Sequence, residues 1–251
     1  MGLSMNINKT GIKAQQLALN AISNNIANST TEGYKTKGVR FQALLNNQIT
    51  EEDVLLNGVT PGISTGSRSE VAVTDFSTGN FREGTSALSL AILGEGFFGV
   101  QNNAGEFFLT KDGSFTVDGT GQLVNGNGDY LVMDGALPPT LSGNEELTVA
   151  EDGTLYMQTD GVSTEIGRIN IYMPTNLETL QPAGENYFLT PDNNLMIVDN
   201  AKIQSNMIEM SNVNLAQEMT NMILAQRAYS LNVKVAQSTD EMMSIINQFS
   251  V

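Results

Sequence analysis

Turn-forming residues are confined to the middle of this chain, and that asymmetry limits what the chain can fold into. All six prolines lie between Pro61 and Pro191, 20 of the 24 glycines lie between Gly58 and Gly184, and residues 192–251 contain neither type. Glycine and proline interrupt helices and mark turns. The pattern therefore predicts a turn-rich centre between two ends that permit long helices.

The C-terminal part is predicted to form one long helix. Apolar residues recur every seven positions after Ser211, which is the period of a helical seam, and Asn214 followed by Gln217 is a capping pair. At a rise of about 1.5 Å per residue, the segment ending at Phe249 would be roughly 55 to 60 Å long. The seam has two rows, Leu215, Met222, Tyr229, Ala236 and Met243, and Ala228, Val235, Met242 and Phe249.

The N-terminal part repeats the seven-residue period. Its seam consists of Met5, Ile12, Leu19 and Ile26, reinforced by Ile22, Ala14 and Ala21. Two seamed helices at opposite ends of the chain are expected to pair in space. One interpretation is a single helical hairpin without further partners. The other is that apolar residues on further faces need partners from outside the chain, and these are Leu17, Ile223, Leu224, Leu231 and Ile245.

The centre alternates short β-branched or aromatic runs with Gly, Asp and Asn. The motifs "NNAG", "KDG", "DGTG" and "NGNG" are hairpin signals between these runs. We therefore predict an α+β fold, in which long N- and C-terminal helices form a coiled-coil-like helical domain and the centre of the chain forms a mostly antiparallel β domain. The predicted parts are an N-terminal helix with its exit segment (1–45), an extended connector (46–80), the β domain (81–190) and a return segment with the C-terminal helix (191–251).

Composition excludes most catalytic chemistry. The chain has no Cys and no His, so thiol nucleophiles, Cys/His zinc sites and imidazole bases are absent. The single "NGNGDYLVM" is a tight turn rather than a stacked calcium-binding repeat, and "GEGFFGV" lacks the Lys-Ser/Thr of a phosphate loop. Acidic pairs such as Glu145-Glu146 are expected by chance in so acidic a chain. We predict no enzyme activity, no cofactor and no metal site.

Charge and hydropathy exclude two classes of partner. The formal net charge is −15, whereas phosphate binding needs a basic surface, so nucleic acid is not an expected partner. No apolar run is long enough to span a membrane, and the N-terminus lacks the apolar core of a signal peptide. We expect no membrane insertion and no cleaved signal.

Two terminal stretches resemble signatures of the bacterial flagellar rod and hook protein family. "AQQLALNAISNNIANSTTEGYK" is similar to the N-terminal signature, in which an asparagine-rich helix end leads into Thr-x-Gly-Tyr/Phe-Lys, and "SNVNLAQEMTNMILAQRAYSLNVKVAQSTDEMMSIINQ" is similar to the C-terminal one. In the centre, "AILGEGFFGV", "LTKDGSFTVDGTGQLV" and "GENYFLT" resemble the β domain of the family. Within the family, "ALLNNQITEEDVLLNGVTPGISTGS" most resembles the distal-rod branch, with a proximal rod protein or another hook-basal-body paralogue as the alternative.

The resemblance implies a structural subunit that is exported by the flagellar type III apparatus and polymerises into a helical tube. That tube would lie in the flagellar basal body, across the periplasm or cell-wall layer, and would transmit torque from motor to hook. The implied partners are copies of the same chain, other rod subunits, the hook protein and the export apparatus. An alternative from another class is a module that binds or hydrolyses cell-wall polysaccharide, and a third is an export or assembly cap.

The seams and signatures supply the residues expected at the assembly interface. On the N-terminal side these are Met5, Ile12, Leu19, Ile22, Asn24, Asn25, Ile26, Asn28, Gly33, Tyr34 and Lys35. On the C-terminal side they are Leu215, Met222, Arg227, Ala228, Tyr229, Val235, Ala236, Met242, Met243 and Phe249.

Overall fold

Both ends of the chain belong to the same compact unit. The computed structural model describes residues 2–46, 63–135, 146–159, 161–184, 186–191, 194–198 and 201–249. The chain divides into a helical unit, which comprises Met1–Ala27, Lys37–Asp75 and Asn214–Val251, and a β unit, which comprises Asn28–Thr36 and Phe76–Val213.

The helical unit is built from two long helices and a two-stranded ribbon. Helix α1 spans Gly2–Ala27 and helix α2 spans Leu215–Phe249. Strand β1, Lys37–Asn46, pairs antiparallel with strand β2, Ile63–Thr74. Because α1 packs against both α2 and the ribbon, the prediction that the terminal helices pair is confirmed.

The two helices run antiparallel. A methyl group added at Gly11 of α1 would lie 3.4 Å from Nδ2 of Asn232 on α2. Near the other end of the contact, Asn25 of α1 donates to the carboxylate of Glu218 on α2. Residue numbers therefore rise along α1 as they fall along α2. The Asn232 side chain therefore packs beside the backbone of α1 at Gly11.

Helix α2 begins where its capping residue predicts. The backbone N–H of Gln217 donates to Oδ1 of Asn214 at 3.2 Å, and the N–H of Glu218 donates to the Asn214 carbonyl at 2.9 Å. A side-chain acceptor at this position satisfies an N–H that has no partner within the helix. The predicted start of the helix is confirmed.

The β unit consists of short strands, and every strand pairing described is antiparallel. The strands are β3 Phe81–Glu83, β4 Leu90–Leu93, β5 Phe97–Gln101, β6 Phe107–Thr110, β7 Thr116–Val117, β8 Leu123–Val124, β9 Tyr130–Leu131, β10 Met133–Gly135, β11 Glu146–Val149, β12 Thr154–Thr159, β13 Val162–Ile169, β14 Ile171–Pro174, β15 Gln181–Pro182, β16 Tyr187–Leu189, β17 Leu195–Ile197, β18 Lys202–Ser205 and β19 Met207–Glu209.

The sheets connect the beginning of the β unit to its end. The largest sheet has the order β15-β16-β6-β5-β9-β8-β7, and β14 joins β5 to β17. A second sheet has the order β10-β13-β12-β11. The last two strands return to the first two, because β18 pairs with β4 and β19 pairs with β3.

The core of the β unit has two parts. The larger cluster includes Phe98, Leu155 and Ile203, all almost fully buried. The smaller one contains Phe97 and Phe188 in an edge-to-face pair whose ring centroids are 5.9 Å apart. Side chains on opposite faces of β5 thus serve both clusters, as expected where neighbouring residues of a strand alternate between faces.

Three of the four predicted hairpin turns are present. "NNAG" joins the paired strands β5 and β6, "DGTG" joins β7 and β8, and "NGNG" joins β8 and β9. The prediction for "KDG" is wrong, because β6 pairs with β5 and β16 whereas β7 pairs with β8. A side chain at Gly113 would overlap the carbonyl of Leu90, so the glycine here permits close packing against β4 instead of a hairpin.

The observed architecture confirms an α+β fold with a helix at each end and a mostly antiparallel β domain. Of the predicted connector, residues 47–62 lie outside the described part of the chain. Within the described ranges, neither helix is long and apolar enough to cross a membrane.

Candidate functional site

The predicted seam of α1 is partly covered. Ala14 is buried, whereas the larger side chains are half-buried, and these are Ile12, Leu19, Ile22 and Ile26. Met5 lies in the helical backbone, but its side chain is outside the described part of the structure. The most buried described positions of α1 are therefore Ala14 and Asn25, and the larger apolar side chains of the seam are only partly covered.

The two predicted rows of α2 differ in burial. In the first row Met222, Tyr229 and Ala236 are half-buried, Leu215 is exposed, and the side chain of Met243 lies outside the described part. In the second row Ala228 is half-buried, but Val235, Met242 and Phe249 are 51%, 59% and 87% exposed. The second row therefore has little cover within the subunit.

The exposed row belongs to a longer apolar surface, here called the outer stripe. It consists of Leu224, Ala228, Leu231, Val235, Met242, Ile245 and Phe249, and apart from the half-buried Ala228 each of these side chains is exposed. With Ser238 included, positions from Ala228 onward alternate in steps of three and four, which is the heptad spacing of helix-to-helix packing. The outer stripe therefore has the pattern of a second helical seam, with the exposed Arg227 beside it.

Asn25, near the end of α1, joins three elements of the helical unit. Its carboxamide accepts from the Lys37 N–H and donates to the Lys37 carbonyl, both at 2.9 Å, which fixes the first residue of β1. Its Nδ2 also donates to Oε2 of Glu218 on α2 at 3.2 Å. Asn25 is buried whereas the adjacent Asn24 is exposed, so the two neighbouring asparagines occupy different environments.

Asn28 and Gly33 shape the loop that follows α1 in the chain. The Thr31 hydroxyl donates to Oδ1 of Asn28 at 3.1 Å. Gly33 has a φ of +66°, and a Cβ added there would lie 2.5 Å from the backbone nitrogen of Asp112. Its N–H donates to the carbonyl of Glu209 at 2.8 Å. Both the backbone conformation and the available space therefore require glycine.

Lys35 and Glu209 form a buried ion pair in the β unit. Lys35 Nζ lies 2.6 Å from Glu209 Oε1, and the two side chains are 0% and 1% exposed. The same oxygen accepts from the Gly79 N–H at 2.8 Å, while Lys35 also donates to the Ser77 carbonyl at 2.7 Å. Tyr34 beside Lys35 is fully buried as well. A charged pair in such a place is retained only where hydrogen bonds surround it.

A second lysine approaches the same carboxylate. Lys111 Nζ lies 3.7 Å from Glu209 Oε2 and donates to the Gly94 carbonyl at 3.0 Å. Burial lowers the pKa of Lys111 to about 8, because an ammonium group loses hydration in the protein interior. The charge of Lys35 adds to this lowering, whereas Glu209 and Glu95 oppose it.

The two terminal signatures contact each other within the β unit, where the Asn212 N–H donates to the Tyr34 carbonyl at 3.4 Å. The backbone N–H and the hydroxyl of Thr36 both donate to Oδ1 of Asn212, at 2.8 and 2.7 Å. Asn212 in turn donates to the Ser77 carbonyl at 3.1 Å. The structure thus brings together Lys35, Thr36 and Asn212 through contacts inside one subunit.

Sequence reasoning did not single out Glu209, Lys111 or Ser77. Charged side chains are ordinarily exposed, so a glutamate and a lysine at these positions carry no signal of burial in a single sequence. The available hint was position, because Glu209 lies two residues before the C-terminal signature.

Three family models match separate parts of the chain. The model described as "Flagella basal body rod protein" matches residues 5–35, and "Flagellar hook protein FlgE/F/G D1 domain" matches residues 91–157. "Flagellar basal body rod FlgEFG protein C-terminal" matches residues 204–249. The matched parts include both terminal signatures and much of the β unit.

Full-length relatives show the same likeness. The chain is 33% identical over 263 residues to the flagellar basal-body rod protein FlgG of Buchnera aphidicola subsp. Schizaphis graminum, with 98% of each chain covered. It is 30% identical over 250 residues to FlgG of Bacillus subtilis, covering 93% of this chain and 94% of that one. A flagellar basal-body rod protein FlgF, from Caulobacter vibrioides, is 31% identical over 229 residues and covers 89% of this chain.

Proposed function

The chain belongs to the flagellar basal-body rod protein family, and on this premise we propose that it polymerises with copies of itself through the outer stripe of α2. Its function is that of a structural subunit of the flagellar rod, located in the basal body. The family is structural and not an enzyme family. Relatives named FlgG match over a larger share of the chain than FlgF does, which favours a FlgG-type subunit of the distal rod.

The observation that carries the proposal is the exposure of the outer stripe. Removing apolar surface from water stabilises an association by about 25 cal/mol per Å². Val235, Met242 and Phe249 are more than half exposed, and they lie at heptad spacing on one helix. A partner helix would bury these side chains as knobs between its own residues.

A second copy of this chain is the partner that fits best. Among the side chains of α1 that the structure describes, those of residues 7–27, the exposed ones offer no matching apolar row, because they include Lys9, Lys13, Gln16, Asn20 and Asn24. The outer stripe therefore needs a different apolar face on the next copy, and the start of α2 offers one in the exposed Leu215, Met219 and Ile223. Contacts between two different faces of identical subunits do not close on themselves, and they propagate as a helical filament. Other rod subunits and the hook protein would contact the ends of this filament, after export of the chain by the type III apparatus.

The proposed division of labour follows the two units of the chain. The helical unit would form the inner layer of the tube, and the β unit the outer layer. The remaining seam and signature residues would have one of two roles in the inner layer. They would either contact neighbouring subunits or fix the positions of the helices within one subunit. Asn25, Tyr34 and Lys35 are buried in intramolecular contacts, which supports the second role for these three.

The variant Leu231→Asp tests the proposal. A carboxylate placed in an apolar helix contact loses hydration without gaining a partner, so the concentration needed for polymerisation should rise about 100-fold. Sedimentation and electron microscopy of the purified subunit measure this concentration. Gln237→Asp is the matched control, because it adds the same charge at an exposed position of α2 outside the outer stripe.

Normal polymerisation of Leu231→Asp would contradict the proposal. An equal defect in Gln237→Asp would also contradict it, because the effect would then depend on net charge and not on the outer stripe. Hydrogen exchange of the β-unit amides should be unchanged in both variants, which shows that the subunit is still folded.

A further inference from the structure

The β unit is closed by its last segment, here called the closing segment, Lys202–Asn212. Strand β18 in this segment pairs with β4, and β19 pairs with β3. The first residues of the unit join the same contact, because the Gly33 N–H donates to the carbonyl of Glu209. The segments that come first in the sequence of the β unit therefore find their pairing partners in the segment that comes last.

The closing segment also completes the core. Ile203 is almost fully buried in the larger cluster, together with Leu90 and Ile92 of β4. Ile208, on β19, is buried as well. Without this segment, β3 and β4 would present unpaired edges and the core would lose one of its walls. Contacts this distant in sequence form slowly, because loop closure costs entropy before the contacts repay it.

One carboxylate in the closing segment contacts three separate parts of the unit. Oε1 of Glu209 accepts from Lys35 at 2.6 Å and from the Gly79 N–H at 2.8 Å. Its other oxygen lies 3.7 Å from Lys111 Nζ. Lys35 and Glu209 are 174 residues apart in sequence. If the closing segment were displaced, Lys35 and Lys111 would both lose this carboxylate as a partner.

We propose that the Lys35–Glu209 pair is the closing contact of the β unit, so that the unit stays open until nearly the whole chain is available and opens first at this pair. A buried charge whose partner is missing is strongly unfavourable, which makes partly closed forms costly. An incomplete chain therefore cannot settle into a stable β unit. The inference concerns folding within one subunit and does not depend on polymerisation.

Native-state hydrogen exchange of the unaltered full chain gives the first test. Amides of Gly33–Thr36 and of β19 should exchange through one shared opening, with the same dependence on denaturant. Amides of β12 and β13, whose sheet contains neither β3 nor β19, should remain protected when that opening occurs. If the amides of Gly33–Thr36 and those of β19 exchange with different dependences on denaturant, the two segments open separately and the proposal is overturned.

Substitutions give the second test. Lys35→Met should raise the opening constant of β3 and β19 by about 100-fold or more, since Glu209 is left buried with only the Gly79 N–H and the more distant Lys111 as partners. The matched control is Arg82→Met, which removes a 2.6 Å ion pair with Glu32 that lies at the surface of the same unit. That control should change the opening constant by no more than about fivefold.

The pattern of exchange separates a closing contact from a general stabilising one. An equal increase at all amides, including those of β12 and β13, would overturn the proposal. If Lys35→Met does not fold, Glu209→Gln provides the readout, because the amide keeps an acceptor for Lys35 while removing the charge. In a double variant the two effects should be less than additive, and strict additivity would contradict a direct pair. These exchange tests are independent of polymerisation. If they contradict the closing contact while Leu231→Asp still impairs polymerisation, the polymerisation proposal is unaffected.

Discussion

Lys111 gives the β unit a testable dependence on pH. Its pKa is lowered to about 8 in the folded chain, whereas an unfolded lysine titrates near 10.4. Between these values the unfolded state binds more protons, so the free energy of unfolding should rise with pH. From pH 8 to pH 10 we expect a gain of about 2 kcal/mol in the free energy of unfolding from this residue. Urea unfolding across this range measures it.

The variant Lys111→Met should remove most of this rise. Glu209, Lys35 and Glu95 act on the Lys111 ammonium, and none of them is changed by the substitution. An unaltered pH slope in the variant would show that another group is responsible. Above pH 10 the comparison ends, because the pKa of Tyr187 is raised to about 12 and its titration opposes that of Lys111.

Tyr187 is hydrogen-bonded to three side chains of the "NGNGD" motif. Its hydroxyl donates to Asp129 at 2.6 Å and accepts from the amides of Asn125 and Asn127 at 2.6 and 2.8 Å. Tyr187→Phe leaves these groups without that partner, so unfolding should become easier by about 1 to 3 kcal/mol. Tyr156→Phe is the control, because the Tyr156 ring is also half-buried. Thermal unfolding measures the loss of stability. An equal loss in the two variants would show that the hydrogen bonds of Tyr187 to the turn do not stabilise the β unit.

At the scale of elements, Asn25 fixes how α1, β1 and α2 meet. It makes two hydrogen bonds to Lys37 and one to Glu218. Asn25→Ala should therefore destabilise the helical unit by about 2 to 4 kcal/mol, since a buried backbone pair and a carboxylate lose their partner. Hydrogen exchange of α1 and α2 measures the effect, with Asn20→Ala on the exposed face of α1 as control. Equal exchange in the two variants would exclude this role.

The elements themselves were largely predictable from the sequence. The distribution of Gly and Pro limits long helices to the two ends, and Asn214 marks the start of α2. The period of seven did not reveal which row of α2 faces α1, because both rows share that period. The face of α2 that contacts α1 includes the polar residues Asn232 and Glu218. A pattern of apolar residues alone does not identify such positions.

The buried charges were not predictable for a different reason. Lys35 and Glu209 are far apart in sequence, and their pairing depends on the return of β19 to β3. A short motif describes local conformation, such as the positive φ of Gly33. It does not describe which distant segment completes the structure. The hairpin expected at "KDG" failed similarly, since Gly113 serves packing against Leu90 and not a reversal.

At the scale of the whole molecule, charge is distributed unequally between the two units. The β unit contains 19 acidic and five basic residues, a formal net charge of −14, whereas the helical unit has a net charge of −1. Subunits that polymerise through a nearly neutral helical unit therefore bring strongly acidic β units near one another. Repulsion between these units opposes the apolar contact of the outer stripe.

Salt should therefore promote polymerisation of the purified subunit. The screening length falls from about 10 Å at 0.1 M to about 3 Å at 1 M salt, which removes most repulsion between exposed charges. We expect the concentration needed for polymerisation to fall severalfold over this range, as measured by sedimentation in NaCl. A variant with Glu83, Glu165 and Glu178 all changed to Gln, each exposed in the β unit, should polymerise more readily at 0.1 M and respond less to added salt. If the variant and the unaltered chain respond equally, salt acts by strengthening apolar burial and not by screening the β units.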